Sequence, residues 1–237
     1  MIVTGLQQEV VDQLPVLFAK FEGQRLPYMY TDIKGVVTCA TGNALFSAAA
    51  ADALAWYHPE NGSPCTKAEV DAAYALVKAA WPGVQSTACA KLTTIRLTAA
   101  AITGLIDQTV AEDWGYLVAQ YPGAPTLPAD AQLMLLSSAW AWGSYFANVW
   151  DKIGKTAAGV GYGAAFKALF AADPPDFSAA ADLVREASAH EEKVNPGIVA
   201  RDLGEVLMLQ NAAAVVAAGD DRARLWYPAT YVPLPVG

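Results

Sequence analysis

The stretch ADAQLMLLSSAWAWG at 129–143 has no polar face when wound at helical pitch. A helix that is apolar all round must be enclosed on every side. The chain therefore has to supply a shell of other helices around it. Hydrophobic residues make up 54% of the 237 residues, enough for one substantial core or two small ones. A membrane is the other place for such a helix, but no window of about 18 residues lacks charges and turn formers. The longest apolar stretch elsewhere, NAAAVVAAG at 211–219, is too short to cross a bilayer.

The shell is legible along the chain. Val10, Val11, Leu14, Leu17, Phe18 and Phe21 recur at helical spacing over 8–22, and Gly23 is a natural stop. From Tyr28 to Thr41 the period becomes strand-like around TDIKG, which predicts a short hairpin with Gly35 at positive φ. Thr66 and Glu69 form a capping box for KAEVDAAYALVKAAW, and Pro82-Gly83 ends that helix. TAAAITGLIDQTVAEDWGYLVAQY predicts another helix, and the proline-rich YPGAPTLP leads into the central one. Helices over 164–172, along FSAAADLVREASAH and over 198–218 complete the series. The expected class is α+β, mainly α. It is expected as a single domain over 1–237, with a small N-terminal hairpin, a large helical lobe and a helical insertion at about 58–126.

Several functions are disfavoured. Lys and Arg number 15 against 23 Asp and Glu, a formal charge of −8 with no basic stripe, which argues against nucleic acid as a partner. Cys39, Cys65 and Cys89 are odd in number and lack C-x-x-C spacing, so neither a disulfide framework nor a structural zinc site is expected, and buried free thiols are. His58 and His190 lie near no nucleophile elbow and read as structural or exposed residues. GVGYG at 159–163 and GKT at 154–156 depart from dinucleotide and P-loop patterns and read as flexible connection. Trp140 and Trp142 read as core, and Asp220-Asp221 as solvated surface. The first twenty residues have no basic n-region, and Glu9 and Asp12 interrupt the apolar run, so a cleavable signal is not expected. Synthesis in the cytoplasm is expected, and work outside it would depend on another component for delivery.

Carboxylates carry the remaining chemistry. Glycosidic cleavage needs a protonated carboxyl for the leaving oxygen and an ionised one for water or direct attack. Glu22 falls in the last turn of a helix, whose negative end disfavours a carboxylate, and Phe21 and Leu26 are apolar neighbours. Asp32 falls in a polar turn, where backbone N–H groups favour its charged form.

The run EGQRLPYMYTDIKGVVTCATGN resembles the active-site segment of phage-type, T4-lysozyme-like muramidases, E-G-x-R-L followed by Y-x-D-x-x-G-x-x-T-x-G-x-G. AQLMLLSSAWAWG, DFSAAADLVREAS and NPGIVARDLGEVLMLQ resemble later segments of that family, in order, and together point to a larger subgroup from phages and Gram-negative bacteria. The resemblance implies a lysozyme-like fold with Glu22 as general acid, Asp32 as the carboxylate holding the attacking water, and Thr38 as the hydroxyl that helps place it. It also implies glycan contacts from Tyr30, Asn43, Asn195 and Arg201. Neither cofactor nor metal is implied. The partner would be peptidoglycan, cut by a monomeric, endolysin-like enzyme at the β-1,4 bond between N-acetylmuramic acid and N-acetylglucosamine, without stable membrane insertion. A holin, particle or secretion system would deliver it. Two alternatives stay open: a catalytically silent wall-binding or structural component, and a lytic transglycosylase. The sequence departs from the family pattern at four points. Nine residues rather than eight separate Glu22 from Asp32, which calls for a bulge or shifted turn; Ala40 replaces a glycine, Asn43 a histidine and Ala141 a glutamine.

Overall fold

The computed structural model describes residues 3–23, 25–84, 86–192 and 196–232. It is mainly helical with a small antiparallel sheet, as expected of an α+β chain. The chain divides into two compact units, Phe18–Thr109 and a discontinuous unit built from Met1–Leu17 and Val110–Gly237. Residues 58–109 of the expected insertion fall in the same unit as the hairpin, and 110–126 in the other. Among the described residues no helix is long and apolar enough to cross a membrane.

Helix α1 (Gln8–Phe21) buries Val10, Leu14, Leu17 and Phe18, the periodic stripe read from the sequence. It stops at Gly23, whose φ of +77° suits a residue without Cβ. In the Phe18–Thr109 unit, β1 (Leu26–Thr31), β2 (Val37–Ala40) and β3 (Asn43–Ala44) form an antiparallel sheet in that order. Leu26 pairs with Ala40, and the ladder resumes with Tyr30 opposite Thr38 and Thr31 opposite Val37. Four steps along β1 thus match two along β2, so a bulge in β1 absorbs two residues. After α2 (Ala48–Asp52), β4 (Trp56–Tyr57) pairs with β5 (Arg96–Leu97), and α3 (Lys67–Ala80) lies between them in sequence. The capping box of α3 forms as expected, and its apolar stripe Val70, Ala73 and Val77 is buried.

Helix α4 (Ala99–Gln120) carries the chain into the second unit, which holds α5 (Ala129–Trp142), α6 (Phe146–Ile153), α7 (Tyr162–Ala171), α8 (Phe177–Glu191) and α9 (Val199–Ala218). Every residue of α5 from Ala129 to Ala139 is buried, with α9 packed along it. Trp140 and Trp142, at its exposed end, are only half-buried. The aromatic rings of Tyr121, Phe146, Trp150, Phe166, Phe170 and Phe177 form one continuous cluster, in which Tyr121–Phe146 and Phe166–Phe170 are stacked and the other contacts are edge-to-face.

The glycine-rich GVGYG segment has a packing explanation. Lys155 bridges Gly161, and Thr156 N donates to Val160 O at 2.8 Å, so the connection is a tight turn rather than a flexible one. A Cβ on Gly163 would lie 1.6 Å from the carbonyl oxygen of Ala147 on α6. The absent side chain is what lets α7 approach α6. By contrast, a Cβ on Gly104, on the exposed side of α4, would meet nothing within 4 Å. Gly163→Ala should therefore destabilise the protein by about 3 kcal/mol or more, the upper end of overpacking. Gly104→Ala should stabilise it by about 0.5–1 kcal/mol through helix propensity. Chemical-denaturation midpoints of the two variants check both signs.

Candidate active site

Glu22 sits where α1 ends, its N–H donating to Phe18 O at 2.8 Å to close the last turn. The residue is half-buried. The chain then enters β1, and the hairpin turn begins at Asp32. There the carboxylate works as an Asx-turn acceptor: Oδ1 takes the N–H groups of Lys34 and Val36, both at 2.8 Å. Asp32 N donates to Val36 O at 3.0 Å, and Gly35 N to Asp32 O at 3.0 Å. One carboxylate oxygen is thus committed to the turn, and Oδ2 keeps its acceptor capacity. Thr38, on β2, is buried and donates its hydroxyl to Val36 O at 3.1 Å, so its oxygen lone pairs remain as acceptors.

Tyr30 ties these residues together. It pairs with Thr38 across the ladder, which puts both side chains on one face of the sheet. Burial is the main force holding its phenol well up, at about 12, against the N–H of Gly42, which stabilises the ionised oxygen. Cys39, Glu22 and Asp32 add to the upward push. An acidic group raises a phenol only from nearby.

The turn is held from outside the sheet. Gly35 has φ +74°, and a Cβ there would lie 2.8 Å from Cδ2 of Trp81. Lys78, in the last turn of α3, donates to Gly35 O at 2.7 Å. Tyr74 donates its hydroxyl to Leu45 O at 3.1 Å, and Thr31 its hydroxyl to Val84 O at 3.2 Å. Tyr74, Lys78, Trp81 and Val84 fall in the helical insertion expected at about 58–126, to which the sequence assigns no site residue. The missed signal was Lys78 and Trp81, two side chains with long reach, at the end of a helix whose apolar face is well marked.

The remaining expected site residues are placed differently. Asn43 is buried; its Nδ2 donates to Thr109 Oγ1 at 3.0 Å and its Oδ1 accepts from Thr41 N at 3.4 Å, so its amide holds the loop after β2. Arg201 is only 4% exposed and donates to Ser137 O at 2.9 Å inside the helical unit. Both groups are engaged within the protein rather than turned to a ligand. Asn195 lies outside the described residues. Of the thiols, Cys39 and Cys89 are buried as expected, whereas Cys65 is half-exposed. The side chains of His58, Cys65 and Glu69, residue types able to ligate a metal ion, come together, a grouping that spacing rules for cysteine pairs do not detect.

Near Arg201, Glu205 is fully buried on α9 and accepts the Ser138 hydroxyl at 2.9 Å. Burial drives its carboxyl up to about 7, with the Asp202 charge adding and Arg201 opposing. Between its ordinary 4.5 and about 7, the folded chain holds a proton that the unfolded chain releases. Stability from this group is therefore full below about pH 4.5 and lost as pH rises through 7. Glu205→Gln removes the titration and retains the shape. Its stability relative to the natural protein should rise by on the order of 3 kcal/mol between pH 4.5 and 8; unfolding free energies of both proteins across that range check this.

No family model matches the chain, and no curated protein and no solved structure matches it either.

Proposed function

We propose that this chain is a muramidase with a lysozyme-like fold, hydrolysing the β-1,4 bond between N-acetylmuramic acid and N-acetylglucosamine in peptidoglycan. The observation that supports the reading is the hairpin that follows α1: Asp32 is held in its turn by the N–H groups of Lys34 and Val36, Thr38 pairs with Tyr30 across the ladder, and Glu22 closes the helix that leads into it. Two carboxyls in unlike settings are what glycoside hydrolysis requires.

In this mechanism Glu22 gives its proton to the glycosidic oxygen as the bond to C1 breaks. Water adds to C1 from the other face. Asp32 Oδ2 takes the water's proton, since Oδ1 is occupied by the N–H groups of Lys34 and Val36. Thr38, whose hydroxyl hydrogen is committed to Val36 O, accepts the water's second hydrogen bond and fixes its direction. Glu22 ends ionised and Asp32 protonated, and exchange with solvent restores both. In this reading Tyr30, opposite Thr38 in the ladder, supplies a glycan contact. Asn43 and Arg201 hold the protein itself.

Purified sacculi incubated with the protein should release muropeptides ending in reducing N-acetylmuramic acid, identified by mass spectrometry. Glu22→Gln should lower release by at least ~10²-fold. Asp32→Asn retains an oxygen for the turn and removes the base, and should lower release by about 10²-fold with the fold intact by circular dichroism. Undiminished activity in Glu22→Gln overturns the assignment. Anhydro ends would identify a transglycosylase instead, and binding to sacculi without release a silent wall-binding protein.

A further inference from the structure

The Phe18–Thr109 unit carries a second set of reactive side chains, between β4 and α3. His58 follows β4 directly, Cys65 precedes the helix cap, and Glu69 lies in the first turn of α3. The loop is tightly folded: His58 N donates to Ser63 O at 2.9 Å, Gly62 N to His58 O at 2.7 Å and Cys65 N to Trp56 O at 3.0 Å. Tyr57 also bridges Pro64. This brings the imidazole and the thiol together at the start of the helix. Glu69 is oriented by its cap. Its Oε2 accepts both the N–H and the hydroxyl of Thr66 at 2.7 Å, which turns Oε1 toward His58 Nε2, 3.3 Å away. A nitrogen, a sulfur and an oxygen ligand atom thus lie within 4.8 Å of one another.

We propose that His58 Nε2, Cys65 Sγ and Glu69 Oε1 form a binding site for a divalent transition-metal ion of the zinc class, with a fourth position open to water. Bonds of about 2.0–2.3 Å in tetrahedral geometry place nitrogen and oxygen ligands about 3.3 Å apart and sulfur and nitrogen about 3.6 Å apart. The observed His58–Glu69 separation already meets the first requirement. A partly exposed thiol at a loop end can close the second.

The surroundings suit an ion. His58 Nδ1 faces Glu60 Oε1 at 3.5 Å, the carboxylate–imidazole pair that fixes the tautomer needed for Nε2 to ligate. The ligating carboxylate is itself hydrogen-bonded through its other oxygen, the usual support for an acidic ligand. Two carboxylates and a thiolate supply excess negative charge that a dication offsets. Binding replaces the thiol proton, which leaves to solvent, with a metal–sulfur bond, and no electron is transferred. The mixed ligand set of one nitrogen, one sulfur and one oxygen favours zinc or cobalt over calcium or magnesium, which take oxygen alone. This site is independent of the muramidase reading, since none of its residues acts on the glycan there.

Chelator-treated full-length protein titrated with Co²⁺ tests it. The expected result is one saturating equivalent, a sulfur-to-cobalt charge-transfer band in the near ultraviolet, and displacement by Zn²⁺. Cys65→Ser should abolish the band and Cys89→Ser should leave it. Glu60→Gln should weaken binding 10–100-fold, as removal of the carboxylate behind a ligating imidazole does. In the unaltered protein, Zn²⁺ should slow alkylation of Cys65 by iodoacetamide at least tenfold. That arm stands even where a substitution prevents folding. Absence of saturable binding, persistence of the band in Cys65→Ser, or an unchanged alkylation rate overturns the site.

Discussion

Helix α3's hold on the hairpin is the constraint on which the candidate site rests. A hairpin of this length is marginal by itself in water, and here the turn carries the carboxylate whose position matters most. Lys78 closes on the carbonyl of Gly35 with a charge-assisted bond, of a kind worth about 1.5–3 kcal/mol. The indole of Trp81 occupies the space a side chain at Gly35 would need. Tyr74 holds the chain after the third strand and Val84 accepts from Thr31. The Asx bonds of Asp32 thus form in a turn whose path is already fixed. That is the pre-organisation that the proposed role of Asp32 requires, since water placement loses force when the supporting shell is loose.

The helical unit obeys a different constraint. Its central helix reads as apolar, yet Asp130, Gln132, Ser137 and Ser138 are all buried on it. Burial of such groups is tolerable only with partners. Asp130 accepts from Asn211 Nδ2, Trp226 N and Tyr227 N, each at 3.0 Å, tying the segment after α9 to the helix. Gln132 takes the N–H of Gln7 at 3.0 Å and donates to Gly5 O at 3.1 Å, fixing the residues before α1. The few polar residues of α5 therefore specify where two distant chain segments dock, and Arg201 belongs with them through Ser137.

These cases mark where sequence reasoning succeeds and where it stops. The stripe of α1, its stop at Gly23, the hairpin around Gly35 and the Thr66–Glu69 cap rest on local periodicity or local hydrogen bonds, and all appear where the pattern put them. Arg201 and Asn43 were read as glycan-binding because a motif attaches a role to a residue type. Their burial depends on residues 64 and 66 positions away in the chain, which no local pattern encodes. The His58–Cys65–Glu69 grouping was hidden for a related reason: its geometry comes from a loop closed by backbone bonds, and its ligands are three different residue types. The grouping of the hairpin with α3 rather than with α1's first turns depends on long-range packing in the same way.

Two of the departures from the muramidase pattern in residues 22–43 meet at one place in the fold. The longer spacing from Glu22 to Asp32 and the replacement of glycine by Ala40 are far apart in sequence, but Leu26 pairs with Ala40 at the edge of the β1 bulge. Ala40 has φ +51°, a left-handed conformation that costs a residue with Cβ about 1–2 kcal/mol. The surplus of β1 and the reversal at Ala40 therefore meet at the open end of the hairpin. Beyond them the ladder is regular through Tyr30–Thr38 and Thr31–Val37 to the turn at Asp32. Gly42, at φ +84°, then returns the chain so that its N–H reaches the Tyr30 oxygen. The bulge and the reversal at Ala40 thus lie on the side of the hairpin away from its turn, and the face shared by Tyr30 and Thr38 is set by the regular part of the ladder.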